Sequence, residues 1–75
     1  MVYISKELFV IIRIYKGMTQ EQFSKFLGIS KQTVSAIERG ERPVSKRTHR
    51  MVIEKVEITD EFLRFKEKHE KLIKI

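Results

Sequence analysis

Residues 19–40 constrain this chain most. Thr19 is followed three residues later by Gln22, the two halves of a capping box, so a helix is predicted to start there. Gly28 ends that helix, Ser30 caps the next, and Gly40 stands where a C′ glycine closes one. Phe23, Phe26 and Leu27 are the apolar positions of the first helix, and Val34 and Ile37 recur at i, i+3 in the second. Only Gly28, Ile29 and Ser30 separate the two. A connection that short forces the helices to cross steeply, which makes a helix-turn-helix unit. Phe23, Leu27, Ile29, Val34 and Ile37 are then the shared core, and Ser24 is small enough to let the second helix approach closely.

The remaining punctuation marks three more helices. Ser5 caps a first helix running to about Lys16, with Gly17 as its stop. Its run of β-branched residues would also suit a buried strand. Helix is preferred because Leu8, Ile11, Ile12 and Tyr15 share one face at helical spacing, leaving Val10 and Ile14 opposite. Pro43 excludes helix just before it, so residues 40–44 form a loop. Ser45 opens a fourth helix carrying Met51, Val52 and Val56. Thr59, followed by Asp60 and Glu61, opens a fifth with a stripe of Ile58, Phe62, Phe65, His69 and Leu72. Its outer face carries Glu67/Lys71 and Glu70/Lys74 as acid-before-base pairs. The expected fold is all-α, with five helices and no sheet. A chain of 75 residues has room for one domain with a modest core. Within it, residues 1–58 are read as the helix-turn-helix core and residues 59–75 as a C-terminal helix that is a candidate dimerisation element.

Charge narrows the choice of partner. The formal net charge is +6, which favours an anionic partner, nucleic acid or an acidic membrane surface. Between Lys25 and Arg50 there are seven basic residues against only Glu38 and Glu41, while six basic and six acidic residues cancel from Met51 onward. The excess therefore sits around the helix-turn-helix and not on the amphipathic fifth helix, so no membrane role is expected. The apolar run at residues 8–15 is broken by Arg13 and has no cleavage signal, so it is read as core and not as a targeting segment. Without cysteine the chain offers no disulfide or thiolate site. His49 lies in a basic stretch and His69 on an apolar stripe, and no glycine-rich phosphate loop, nucleophile elbow or metal-ligand spacing is found. The expectation is a cytoplasmic protein that is not an enzyme and needs no cofactor.

The outward residues at the start of the third helix suit base readout. Lys31 and Gln32 occupy its first turn, the part of such a helix that enters the major groove. Lysine can donate to guanine O6/N7 and glutamine can pair with adenine N6/N7, while Ser35 and Ala36 can touch a base edge or a thymine methyl.

The string MTQEQFSKFLGISKQTVSAIERG at residues 18–40 resembles the Cro/C1-type helix-turn-helix family of phage and bacterial regulators. The likeness is strong over residues 13–40 and looser over residues 43–59. It implies a five-helix Cro/C1-repressor-like fold and a sequence-specific regulator of double-stranded DNA, of repressor type, in a prokaryotic cell or a phage-infected host. It also implies base contacts by Lys31, Gln32, Ser35 and Ala36. Gln20 is expected to touch a phosphate and brace the third helix, and Ser30, Thr33, Arg39, Arg42, Lys46 and Arg47 complete the phosphate set. Arg13 and Glu38 match a pair that joins helices one and three in relatives. One departure is Lys46-Arg47-Thr48-His49-Arg50, where the family has apolar residues. That helix is accordingly expected either to be displaced or to start late, or else to use its first turn as an extra phosphate clamp. The alternative function is a protein-interaction module binding another regulator, with Val2, Tyr3, Ile4, Val10 and Ile14 as surplus apolar residues. A homodimer is favoured through the fifth helix at Phe65, Leu72 and Ile73, because one recognition helix reads only a few base pairs.

Overall fold

The computed structural model describes residues 4–73, with side chains through Lys71. It contains five helices among these residues: α1 Lys6–Tyr15, α2 Gln20–Leu27, α3 Lys31–Glu38, α4 Lys46–Lys55 and α5 Asp60–Ile73. Each starts where a side-chain oxygen can take up an otherwise free amide. The hydroxyls of Ser5, Thr19, Ser30, Ser45 and Thr59 accept from the backbone N–H three residues on, at 3.1–3.2 Å. The Gln22 side chain returns a bond to Thr19 N–H at 2.9 Å, completing the capping box. Gly28 and Gly40 take φ of 73° and 77°, a left-handed backbone that glycine adopts without steric cost. Ile29 N–H then reaches back to the Ser24 carbonyl, and Glu41 N–H to that of Ala36, both at 2.9 Å.

The reading of residues 19–40 holds in detail. α2 packs more closely on α3 than any other pair of helices does. Ser24 is buried at their crossing, and its hydroxyl donates to the Glu21 carbonyl at 2.6 Å. Phe23, Leu27, Val34 and Ile37 are almost wholly buried, and Ile29 packs against them. α1 lies between this unit and α5.

Several expectations elsewhere are corrected. Phe9, left off the apolar face of α1, is completely buried and meets Phe23 edge-on at 5.1 Å. α1 is packed on two sides, so a single stripe could not describe it. Ile4, Val44 and Thr48 are also buried. Val44 follows Pro43 in a loop, where no periodicity signals burial. Ile58, expected on the α5 stripe, precedes the helix and is exposed. α4 does not start late: it begins at Lys46, directly after its cap, with Lys46 and Arg47 outside and Thr48 inside.

Phe62 anchors α5 in the core, and Tyr15 meets Phe62 and Phe65 edge-on at 5.0 and 5.2 Å. On the outer face Glu67 pairs with Lys71 at 3.6 Å, and Glu70 pairs with Lys66. Lys74, the partner expected for Glu70, lies outside the described residues.

Candidate nucleic-acid interface

Burial of Val34 and Ile37 fixes which way α3 turns the rest of its surface. At 3.6 residues per turn, Gln32, Ser35, Ala36 and Arg39 come round to the opposite side, with Lys31 at its edge. Lys31 and Gln32 are exposed, and Ser35 and Ala36 are half-buried. These are the four residues expected to face bases, and the fold brings them together on one short, capped helix.

The residues expected to meet phosphate divide into two groups. Ser30, Thr33, Arg42 and Arg47 line an open cleft where the N-terminal ends of α3 and α4 meet, with the cap residue Ser45 beside them. The Ser30 and Thr33 hydroxyls lie 2.8 Å apart, and Arg42 Nη1 reaches Thr33 Oγ1 at 3.5 Å. Helix N-termini with guanidinium groups beside them favour a bound anion. Lys46 stands exposed in the first turn of α4.

Arg39 and Gln20 are already engaged within the chain. Arg39 Nε donates to Glu41 Oε2, and its Nη1 donates to Ser35 Oγ. The hydrogen bond from Arg39, and then its charge, hold the Glu41 carboxyl below its ordinary range and raise the guanidinium in turn. This pairing was not foreseen, and the i, i+2 spacing in a turn carries no recognisable signal. Gln20 Nε2 donates to Glu38 Oε1 at 3.1 Å, so it braces α3 as anticipated, with its amide turned to a carboxylate.

Arg13 and Glu38 meet in a forked pair, Nε to Oε2 at 2.7 Å and Nη2 to Oε1 at 3.1 Å. Their side chains are 19% and 9% exposed. Arg13 Nη1 also donates to the Met18 carbonyl at 2.9 Å, so one cluster ties α1, the turn before α2, α2 itself and the end of α3. A second tie escaped the sequence. Lys55 Nζ, at the end of α4, donates to the Phe26 carbonyl at 2.8 Å and lies 5.5 Å from the Phe26 ring.

Other chemistry finds little footing. Ile4 N–H donates to His49 Nδ1 at 3.2 Å, and His69 stacks on Phe65. No cluster of three potential metal ligands occurs among the described residues. No described helix is long and apolar enough to cross a membrane. Of the residues expected at a dimer seam, Phe65 is half-buried beside Tyr15, while the side chains of Leu72 and Ile73 lie outside the described residues, as do Val2 and Tyr3.

A helix-turn-helix family model matches residues 11–48, just over half of the chain. No curated protein and no solved structure gave a significant match. The matched stretch runs from the middle of α1 through the crossed pair and the basic loop into the first turn of α4, and so contains the whole surface just described. The chain belongs to the Cro/C1-type helix-turn-helix family of DNA-binding regulators.

Proposed function

We propose that this protein is a sequence-specific regulator of double-stranded DNA, of the repressor type, acting in the cytoplasm of a prokaryotic cell or a phage-infected host. The observation that carries the reading is the outward run of α3. Lys31, Gln32, Ser35 and Ala36 share a surface with no part in the buried core, beside a cleft lined by hydroxyls and guanidinium groups. α3 enters the major groove, Lys31 and Gln32 read base edges, and Ser35 and Ala36 sit beside them. Ser30, Thr33, Arg42, Lys46 and Arg47 hold the flanking phosphates. A bound repressor of this kind acts by occupying its site. The alternative, a module that binds another regulator, draws its support from exposed aliphatic residues elsewhere on the molecule.

Two substitutions test the readout. Lys31→Ala and Gln32→Ala are each expected to cost about 1–3 kcal/mol on the preferred site and much less on random duplex. Both side chains are exposed, so circular dichroism should show folded proteins. Selection from random duplex DNA supplies the preferred site, and full specificity in both variants would refute this register of α3.

A third substitution tests Arg39. Glu41 competes with phosphate for its guanidinium, so Glu41→Gln should tighten binding to every sequence several-fold at low salt. The salt dependence should steepen by up to about 0.9 in log–log slope. Unchanged affinity and slope would remove Arg39 from the phosphate contacts.

A further inference from the structure

We infer that Lys6, at the start of α1, takes a DNA backbone phosphate beside the loop after α3, an assignment that rests on the proposed DNA-binding function. It extends the interface outside residues 11–48, the stretch that the family model covers.

Lys6 is the first residue of α1 and is exposed. Its side chain lies across Gly40: a Cβ placed on that glycine would stand 3.4 Å from Lys6 Cδ and 3.0 Å from Nζ. Gly40 therefore does more than supply the left-handed φ that closes α3. Any side chain at that position would push the ammonium aside. Seated there, the ammonium lies at the C-terminal end of α3, where the helix dipole favours a cation. It also stands beside the loop that carries Arg39 and Arg42.

Charge defines what this corner can hold. Lys6 and Arg42 both line an open cleft of about 270 Å³, floored by the buried Ile4, Ile37 and Val44. No acidic side chain lines it. Glu41, the one carboxylate of the loop, is taken up by Arg39. Glu7 leaves α1 about 100° further round the helix. No ion pair engages Lys6 among the described residues. Two cations thus share a recess without a counter-charge, and an anion entering it relieves their repulsion. Arg42 also lines the cleft at the heads of α3 and α4, so it joins two basic recesses. A DNA backbone held at one continues past the other. The recess is open and offers two cations but no closed cage, which suits a phosphate delivered by a bound backbone better than a free anion. Lysine binds phosphate as a point charge, so the contact adds affinity without choosing among sequences.

Titration of labelled duplexes with the full chain over a salt series tests the assignment. Lys6→Gln should weaken binding to the preferred site and to random duplex alike, several-fold at low salt, and lower the log–log slope by about 0.9. Lys6→Arg should keep the slope. Lys68→Gln, the same change of charge on exposed α5, should leave it unaltered. Neutral methylphosphonates, placed one at a time in the preferred site, should locate the contact. At one position the replacement should weaken the wild-type chain and leave Lys6→Gln unaffected. Urea denaturation checks that each variant is folded, and a purely structural role at the end of α3 would move its midpoint but not the salt slope. Equal slopes for Lys6→Gln and a wild type that binds duplex would overturn the assignment and leave the DNA-binding function standing. So would the absence of any such methylphosphonate position, or a slope lowered equally by Lys68→Gln. A wild type that binds no duplex would overturn both.

Discussion

Replacing Glu38 with alanine is expected to cost about 2–4 kcal/mol of folding free energy. That is somewhat under the roughly 3–5 kcal/mol lost when a fully buried ion pair keeps only one partner, because Arg13 and Glu38 are only partly buried. Arg13 would retain its bond to the Met18 carbonyl but lose two to the carboxylate, and the Gln20 amide would lose its acceptor. Small domains lie near the lower end of the usual stability range of about 5–15 kcal/mol, so such a loss brings this one close to unfolding. Glu38→Gln keeps one acceptor oxygen and removes the charge. Its cost should be about 1.5–3 kcal/mol, a fall in Tm of roughly 10–20 °C. Urea denaturation of both variants measures the difference. A loss below about 1 kcal/mol for the alanine variant would show that the pair behaves as a surface pair. Arg13 would then be free to serve DNA.

Salt should weaken DNA binding steeply. The phosphates neutralised by Arg42, Lys46 and Arg47 give a slope of about −2.7 in log affinity against log salt, at about −0.9 each, and Arg39, held by Glu41, adds less than its full share. Between about 50 and 200 mM salt that amounts to a loss of roughly forty- to a hundredfold. Exchanging the four for glutamine should flatten the slope and weaken preferred and random duplex alike, unlike the changes proposed at Lys31 and Gln32. Arg39 is engaged with Glu41 in the free protein, so its single replacement should change the slope least. A slope near zero for the unmodified protein would show that these residues do not carry the affinity.

Local chemistry was legible in the sequence, and distant contact was not. The caps at Ser5, Thr19, Ser30 and Ser45 act within three residues, and Gly28 and Gly40 act on their own backbone. Those ends therefore follow from spacing alone. Phe9 sits in a run that is apolar on nearly every face, so periodicity could not assign it to the core. The bond from Lys55 to Phe26 joins residues 29 apart, and that from Ile4 to His49 joins residues 45 apart. Such pairings depend on how the helices dock, which no local pattern encodes. Arg13 and Glu38 were anticipated only through the family resemblance. Their geometry follows once α1 crosses the end of α3, and it also shows where the Gln20 amide goes.

The attachment of α3 leaves the chain open to rewriting. The helix is eight residues long and is held by Val34 and Ile37 beneath, Ser30 at its head, Gly40 at its tail and the Arg13 cluster at its last residue. None of these holds uses the side chain of Lys31, Gln32, Ser35 or Ala36. Descendants of such a gene could therefore exchange those four residues freely, acquiring new operators while inheriting an unchanged scaffold. A laboratory library randomised at the same four positions should consist mostly of folded members, each with its own vocabulary of base pairs.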